Sequence, residues 1–346
     1  MHFARESIFV GAVRSFCTGL AGLLGVFVAV VIGVVIFSLF SKTELASPLT
    51  ETTIAADAEG NRSVLPLTAP AILRINLHGV IGDNKLDGAG IEDILTDSRH
   101  NLLAHDRVKG ILLHVNTPGG TATDADDIYR SLMAYKKKYS VPVYAYVDGL
   151  CASGGVLVTS ICDKIFASPP STIGSVGVVF GPTFNIAQAM DKVGVHSTTL
   201  TAGKDKDMFN PFRPWIPGED NSVRNIVNAL YQRFVNIVIA GRPKIDRQKL
   251  IETYGAQVYI ADEAEKIGFV DDGNSSYETA LRALTQAAGI GENQHYQVVQ
   301  LDKPDNLVRQ IFGNNSLFKG KITHRFDIGP YMTSDMSGKF LYLYQP

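Results

Sequence analysis

The sequence predicts an α/β fold that follows one membrane-spanning helix, and three observations support this prediction. From Ala71 onward, short β-like runs alternate with helical patterns, as in parallel sheets with helical crossovers. Some of these runs, such as V-P-V-Y-A-Y-V at 141–147, are continuously apolar, which indicates strands that are covered on both faces. The stretch between Arg14 and Lys42 contains no charged residue.

Residues 17–40 are predicted to be a transmembrane anchor. The apolar stretch 19–40 would form a helix about 33 Å long, enough to cross a hydrocarbon core of about 30 Å. A buried core helix is one alternative. A cleaved signal peptide is the other, but its apolar region is about 7–15 residues long, and the following S-K-T-E-L-A-S offers no clean cleavage site.

The charges that flank the anchor predict its orientation. Arg5 and Arg14 lie on the short N-terminal side, whereas Lys42 on the other side is followed by the acidic Glu44. Positively charged flanks stay on the cytoplasmic side of a membrane. We therefore expect residues 1–16 in the cytoplasm, a single pass through the inner or plasma membrane, and the rest of the chain on the extracytoplasmic side.

After the anchor we expect a tether at 41–70, a folded domain at 71–288, and a C-terminal tail at 289–346 to which no role is assigned. The tether is rich in Thr, Ser, Ala and Pro and lacks any sustained period. The predicted elements of the domain are, in order, a strand at 72–77, a helix around 91–95, a strand at 108–115, a helix at 124–139, a strand at 141–147, a helix that opens near Ser153, a strand at 164–167, and a helix at 219–241.

The composition excludes several classes of function. With 32 basic and 34 acidic side chains the net charge is −2, so the chain lacks the excess of positive charge that is typical of proteins that bind nucleic acid. The three cysteines are too few for a disulfide framework and form no C-x-x-C pair. No H-E-x-x-H, P-loop or complete G-x-G-x-x-G is present. We expect neither a metal nor a cofactor.

Two glycine-containing turns could carry chemistry. N-T-P-G-G at 116–120 and D-G-L-C-A-S-G-G at 148–155 each connect an apolar strand to a helix. Glycines let backbone N–H groups approach a ligand closely, and Ser153 would lie in the first turn of its helix, where unpaired N–H groups stabilise negative charge. The alternatives are an ordinary turn for the first motif and a helix-capping serine for the second.

A general base is harder to identify. The loop T-A-G-K-D-K-D at 201–207 offers lysines, and a lysine can activate a serine only if burial lowers its pKa from about 10.4 by roughly 3. Solvent exposure is the alternative. Cys151 is a rival nucleophile without a flanking histidine. The three histidines that lie in or beside β-like runs are equally compatible with a structural role: His78, His114 and His196.

The ordered set of these motifs resembles the signal peptide peptidase A (protease IV) family. The set comprises N-T-P-G-G, C-A-S-G-G, S-T-I-G-S-V-G-V at 171–178, G-K-D-K-D, and the later stretch Y-G-A-Q-V-Y-I-A-D-E-A-E-K-I-G-F-V-D-D at 254–272. The resemblance covers roughly residues 71–288. It implies a Clp protease/crotonase-like fold with a repeated ββα core.

The resemblance also implies site residues. The matching catalytic serine is Ser153, and the family's G-x-x-K pattern selects Lys206 as its base. The backbone N–H groups of Gly120 and Gly154 correspond to the oxyanion donors. Ser175 lies where the family packs a strand close to the dyad, so it is either near the site or purely structural.

The family degrades signal peptides left in membranes, so the resemblance implies a serine endopeptidase that acts on short apolar peptides. The chain has one copy of the catalytic unit, like the short members that build sites between neighbouring subunits, so we expect a homo-oligomeric ring. Val156 departs from the family's aromatic residue, which implies a different pocket shape. The rival hypotheses are a non-proteolytic membrane-tethered binding ring and a crotonase-like acyl-CoA enzyme.

Overall fold

The computed structural model describes residues 8–40, 50–83, 85–303 and 339–344. The chain divides into two compact units, Met1–Pro48 and Leu49–Pro346. Parts of three predicted regions lie outside the described residues: 1–7 of the N-terminus, 41–49 of the tether, and 304–338 with 345–346 of the tail.

The first unit contains helix α1, Ile8–Phe40. Within it, Val10–Gly33 has a mean hydropathy of 2.3 and none of it is buried. Within Val10–Gly33, Leu, Val, Ile and Phe side chains are exposed on all sides of the helix, so this stretch presents no polar face to water. The predicted apolar helix is confirmed, and by length and composition it can cross a membrane.

The second unit alternates strands and helices. Its strands are β1 Glu51–Ala55, β2 Ala71–His78, β3 Val108–Thr117, β4 Gly119–Thr121, β5 Val143–Ala152, β6 Lys164–Ala167, β7 Thr172–Gly174, β8 Val258–Ile260, β9 Gln297–Asp302 and β10 Leu341–Leu343. Its helices are α2 Gly88–Asp97, α3 Ala122–Tyr139, α4 Gly154–Thr159, α5 Ala187–Lys192, α6 Asn221–Gly241, α7 Arg247–Lys249, α8 Ala261–Ile267 and α9 Tyr277–Ala287. A 3₁₀ turn at Asn101–Leu103 and a π turn at Leu250–Tyr254 complete them.

In the described part of the chain, eight strands form one sheet in the order β1-β9-β2-β3-β5-β7-β8, with β6 beside β5. The inner strands β2, β3 and β5 run parallel to their neighbours, whereas β1 and β8 join the edges antiparallel. Helices connect the parallel strands, as parallel pairing requires. The predicted α/β class is confirmed.

Both faces of the central strands are buried, because alternate side chains enter two separate cores. On one face Leu73 and Leu113 belong to the core that includes α3, α4 and α6. On the other face Ile72 and Leu112 belong to a core with Leu284 of α9. The continuously apolar strands are therefore covered on both faces, as their sequences predict.

Two boundaries differ from the sequence prediction. Strand β1 lies in the predicted tether and pairs with β9, which itself lies in the predicted tail and pairs with β2. Strand β10, near the end of that tail, pairs with β4. The compact unit is therefore wider than 71–288, because backbone hydrogen bonding at sheet edges recruits segments without a strong sequence period.

Candidate functional site

Ser153 occupies the sharp turn between β5 and α4. Its backbone has φ 52° and ψ −112°, an unusual conformation for a residue with a side chain, and its side chain makes no helix-capping hydrogen bond. The residue is 1% exposed, and its N–H donates to the Gly174 carbonyl at 2.9 Å. The capping role that would explain a serine at this position is therefore absent.

The glycines after Ser153 let helix α4 pack closely against the turn at 116–120. A Cβ on Gly155 would lie 2.7 Å from Cγ2 of Thr117, too close for a real contact. A Cβ on Gly154 would lie 3.4 Å from Cα of Gly119. Because neither residue has a side chain, the first turn of α4 and strand β4 come into direct backbone contact.

The N-T-P-G-G turn is held by its own threonine. The Thr117 hydroxyl donates to the Gly79 carbonyl at 2.5 Å and accepts from the Gly119 N–H at 3.1 Å. Gly119 has φ 89°, and a Cβ there would lie 2.6 Å from the backbone nitrogen of Gly154. The structure therefore brings the two glycine-containing turns of the sequence together, as a shared donor site requires.

Ser175 lies one residue beyond the strand that pairs with the Ser153 segment. Gly174 pairs with Ala152, and the Ser175 N–H donates to the Gln257 carbonyl at 2.6 Å. Ser175 also has a positive φ, 58°, and is buried. Its backbone hydrogen bond therefore ties the strand beside Ser153 to the loop before β8.

Lys206 lies in an exposed turn between α5 and α6. The turn is held by Arg213, whose Nε donates to Oδ2 of Asp207 at 2.9 Å and whose Nη2 donates to Glu219 at 2.8 Å. The hydrogen bond from Arg213 keeps the pKa of Asp207 below its ordinary value. The residue next to Lys206 is therefore fixed even though the lysine itself faces solvent.

A single chain does not join the two predicted dyad residues. Ser153 is buried, Lys206 is exposed, and no hydrogen bond connects them among the residues that the structure describes. Of the other predicted donors, Gly154 follows Ser153 in the chain, and Gly120 is next to Gly119, which lies against the backbone nitrogen of Gly154. One chain thus brings Ser153 and the two glycine-containing turns close together and leaves Lys206 apart from them.

The rival residues have other partners. Burial raises the pKa of Cys151 to about 12, so this thiol stays protonated near neutral pH. His78 Nε2 and His114 Nδ1 lie 2.8 Å apart, and burial, with smaller effects of Arg74 and His78, lowers the pKa of His114 to about 3. His196 is exposed beside Asp191. These contacts fit structural histidines.

Strand β10 is the part of the site that sequence reasoning did not assign. Tyr342 is paired opposite Gly120, and its carbonyl oxygen lies against Gly119 and Gly154, where added Cβ atoms would be 2.1 and 3.2 Å away. The available signal was the short apolar run F-L-Y-L-Y at 340–344, which is compatible with a buried strand. Among the described residues, no group of three or more His, Cys, Asp or Glu could hold a metal ion.

Residues 135–291 match the family model described as peptidase family S49, and this match includes Ser153, Ser175 and Lys206. This stretch of the chain is similar to a peptidase family S49 domain. The resemblance stated from the motifs is thereby confirmed.

Several other proteins are similar to this chain, and each match covers only part of both proteins. A putative protease of Methanocaldococcus jannaschii is 34% identical over 212 residues, which are 61% of this chain and 65% of the relative. A putative signal peptide peptidase SppA of Enterococcus faecium is 32% identical over 223 residues, 62% of each chain. Protease 4 of Haemophilus influenzae is 31% identical over 216 residues, 60% of this chain and 34% of the relative. The chain thus spans less than two thirds of the length of these relatives.

Among solved structures, a ClpP1 variant from Listeria monocytogenes is similar to 60% of this chain and 94% of its own, at 13% identity and a TM-score of 0.40. A similarity this distant bears on neither activity nor assembly.

Proposed function

We propose that this chain is a serine endopeptidase in which Ser153 is the nucleophile and Lys206 the general base. The observation that carries the proposal is the conformation of Ser153, where a strained φ of 52° holds an uncapped serine in one glycine-containing turn and close to the other. Strain of this kind costs about 1–3 kcal/mol and persists mainly at functional sites. A helix-capping serine would need neither the strain nor the glycines.

In the proposed reaction, the neutral amine of Lys206 accepts the Ser153 hydroxyl proton while Oγ attacks a peptide carbonyl carbon. The resulting oxyanion accepts hydrogen bonds from the N–H groups of Gly120 and Gly154. The tetrahedral intermediate then expels the amine product, which takes the proton from the lysine. Water attacks the acyl-enzyme by the same route and releases the new carboxylate.

A carbonyl group of the chain itself supports the position of the oxyanion donors. The Tyr342 carbonyl oxygen lies against Gly119 and Gly154, opposite Gly120 in the strand ladder. The space beside Gly119, Gly120 and Gly154 therefore accommodates a peptide carbonyl of ordinary geometry, and an acyl-transfer site must bind such a group.

We propose that the base comes from a neighbouring copy of the chain in a homo-oligomeric ring. A buried Ser153 and an exposed Lys206 within one chain support this arrangement. The segment around Lys206 also exposes large apolar side chains, and such patches typically mark interfaces. They are Phe184, Val193, Val195, Leu200, Phe212 and Ile216.

The proposed substrates are signal peptides or other short apolar peptides near a membrane. Helix α1 supports a membrane anchor, with residues 1–16 in the cytoplasm and the peptidase domain on the extracytoplasmic side. An anchored site meets mainly peptides that partition into the same bilayer. Ser175, one residue beyond the strand partner of Ser153, is proposed to help shape the site.

The proposal is tested with the full-length chain in detergent micelles and a fluorophosphonate probe, analysed by mass spectrometry. We expect labelling at Ser153 that disappears in Ser153→Ala and in Lys206→Ala, together with loss of peptide cleavage by about 10³-fold or more. Lys204→Ala, which removes the neighbouring exposed lysine, is the matched control and should keep both signals. Absence of labelling in folded wild-type oligomers would favour the non-proteolytic ring.

A further inference from the structure

Strand β5 contains a bulge shortly before the turn that leads into α4. Val115 of β3 pairs with Val147 of β5, but Thr117 pairs with Cys151, so a step of two residues along β3 corresponds to a step of four along β5. The extra residues fall within 148–150, which we call the β5 bulge. Every other residue of β5 is buried, whereas these three are partly or fully exposed. The two strands thus remain paired on both sides of an insertion.

The bulge sets the position of Ser153 relative to the N-T-P-G-G turn. If the ladder continued without it, Cys151 would pair with Gly119, and Ser153 would lie about 6.6 Å further along, at about 3.3 Å for each of two residues. With the bulge, Gly154 comes against Gly119 instead, where a Cβ added to Gly119 would lie 2.6 Å from the Gly154 nitrogen. The contact between the two glycine-containing turns therefore depends on the bulge.

Asn116, the first residue of the N-T-P-G-G turn, holds the bulge from the side of β3. Its Oδ1 atom accepts a hydrogen bond from the Leu150 N–H at 3.2 Å. The same side chain lies over Gly149, which has a φ of 117° and where an added Cβ would come within 2.9 Å of Oδ1. The middle of the bulge must therefore be glycine. A side-chain oxygen thus satisfies an N–H group that the bulge withdraws from the regular ladder.

Ser171 holds the bulge from its other side. Its hydroxyl donates to the Val147 carbonyl at 3.0 Å and accepts from the Gly149 N–H at 3.0 Å, so it bonds the residue before the bulge and the residue in its middle. Ser171 is fully buried and directly precedes β7, at the point where the neighbour of β5 changes from β6 to β7. Loss of this hydroxyl would leave buried backbone groups without a partner.

The exposure of Asn116 separates its role from core packing. Exposed side chains without special contacts contribute little to stability, so the hydrogen bond to the bulge is what this side chain supplies. Asn76 of the neighbouring strand β2 lies on the same face of the sheet, two residues from the pairing partner of Asn116. It accepts from Nε of Arg74 in its own strand at 3.1 Å. Asn76 therefore offers a matched comparison.

We propose, resting on the proposed function, that Asn116 and Ser171 are positioning residues for the Ser153 nucleophile. They keep the β5 bulge closed, and the closed bulge keeps Ser153 level with the oxyanion donors of the N-T-P-G-G turn. Both side chains act through the backbone of residues 147–150 rather than on the substrate. Their loss should therefore slow the chemical step without removing contacts that bind peptide.

The first test measures peptide hydrolysis by full-length chains in detergent. Asn116→Ala should lower kcat by about tenfold and leave KM within about twofold, because the nucleophile is misplaced while substrate contacts remain. Asn116→Asp keeps an oxygen acceptor for the Leu150 N–H and should restore most of the lost kcat. Asn76→Ala should leave kcat and KM unchanged. Wild-type kcat in Asn116→Ala, or no rescue by aspartate, would overturn the inference.

A double substitution tests whether the two side chains act on the same element. Ser171→Ala alone should also lower kcat by about tenfold. Asn116→Ala combined with Ser171→Ala should lower kcat by clearly less than the hundredfold product, since the second loss affects a bulge that is already open. A full product of the two effects would mean that the residues act independently and would contradict a shared role in the bulge.

A further measurement does not depend on hydrolysis. In full-length chains that carry Ser153→Ala, hydrogen exchange of the amides in 147–155 is followed by mass spectrometry. Added Asn116→Ala should make this exchange about tenfold faster, because the bulge opens more often, and added Asn76→Ala should not change it.

The exchange result separates this inference from the proposed function. Unchanged exchange in the chain with Asn116→Ala would refute the role of this residue even if the wild-type enzyme cleaves peptides. Faster exchange with Asn116→Ala alone, together with a wild-type chain that neither reacts with the fluorophosphonate nor cleaves peptides, would retain Asn116 as the residue that holds the bulge and refute only the peptidase proposal.

Discussion

The turn at Ser153 and the loop at Lys206 carry the two halves of the proposed dyad, and they differ in how they are built. Residues 151–160 are almost wholly buried between β5, β4 and α3. Residues 195–217 contain no helix or strand and are mostly exposed. The first half is positioned by backbone contacts that only glycine permits, whereas the second is held mainly by the Arg213 ion pairs.

This difference suggests a role for oligomer assembly in the proposed mechanism. A buried turn is fixed by the folding of one chain, and its geometry does not depend on concentration. An exposed loop with apolar side chains gains its final environment when a surface covers it. The same chain would therefore fold without activity as a monomer and become active on association.

The largest expected effect comes from mixing two inactive chains. If Lys206 acts on Ser153 of a neighbour, co-expressed Ser153→Ala and Lys206→Ala chains should regain about a quarter of wild-type turnover, since that share of random interfaces pairs two intact residues. Each variant alone should keep no more than about a thousandth of wild-type turnover. The measurement is peptide hydrolysis by co-purified mixed oligomers. A mixture that stays inactive while forming normal oligomers would mean that both residues act from one chain.

The next contrast compares two leucines, one in each half. Leu157 is fully buried in α4, whereas Leu200 is 94% exposed. Leu157→Ala should lower the free energy of unfolding by about 3 kcal/mol. Leu200→Ala should change it by less than about 0.5 kcal/mol but shift the oligomer toward smaller species. Urea denaturation and analytical ultracentrifugation check the two outcomes, and unchanged association of Leu200→Ala would argue against an interface at this segment.

Arg213 tests whether the loop needs positioning. Arg213→Gln removes the ion pairs to Asp207 and Glu219, so Lys206 should be less well placed and kcat should fall about tenfold with KM little changed. Arg224→Gln, which breaks an exposed pair with Asp220 on α6, is the matched control. A fall in Tm equal to that of the control, without a selective fall in kcat, would show only a structural role.

The arginine also predicts a pH dependence of this loop. Because Arg213 lowers the pKa of Asp207, the pair is intact above the ordinary aspartate range and is lost as the pH falls through the lowered value. Amide hydrogen exchange of residues 205–213 in the wild-type chain should therefore approach that of Arg213→Gln at the same pH only in strong acid. Equal exchange in the two chains at all pH values would contradict this.

The last prediction concerns the stability of the sheet, which should depend on pH independently of the Lys206 loop. The pKa of His114 is about 3 in the folded chain against 6.5 ordinarily, so the unfolded chain binds the extra proton and stability falls as pH drops from about 6.5 toward 3. His114→Gln should flatten this slope by about 1 kcal/mol per pH unit, less than the limit of about 1.4 because the ring is partly hydrated. The control is His196→Gln, at an exposed site, which should leave this slope unchanged. Thermal melts across this pH range provide the measurement.

Sequence reasoning was most successful where local pattern and local environment agree. The strand 141–147, the helix 124–139 and the turn that leads into the helix after Ser153 all appear at or near their predicted positions. In each case apolar periodicity is bounded by glycine, proline or a capping residue, and those signals act over a few residues. The glycine turns at 116–120 and 148–155 were identified for the same reason.

The sequence by itself therefore determined the α/β class, the apolar N-terminal helix, and Ser153 with its flanking glycines as the candidate nucleophile turn. Only the tertiary structure decided that β1 and β9 extend the sheet, that a single chain leaves Lys206 apart from Ser153, and that β10 lies in the cleft over Gly119 and Gly154. The physical reason is that edge pairing uses backbone groups, which every residue carries. Which distant segment fills an edge depends on the closed shape of the fold, and no local pattern records that choice.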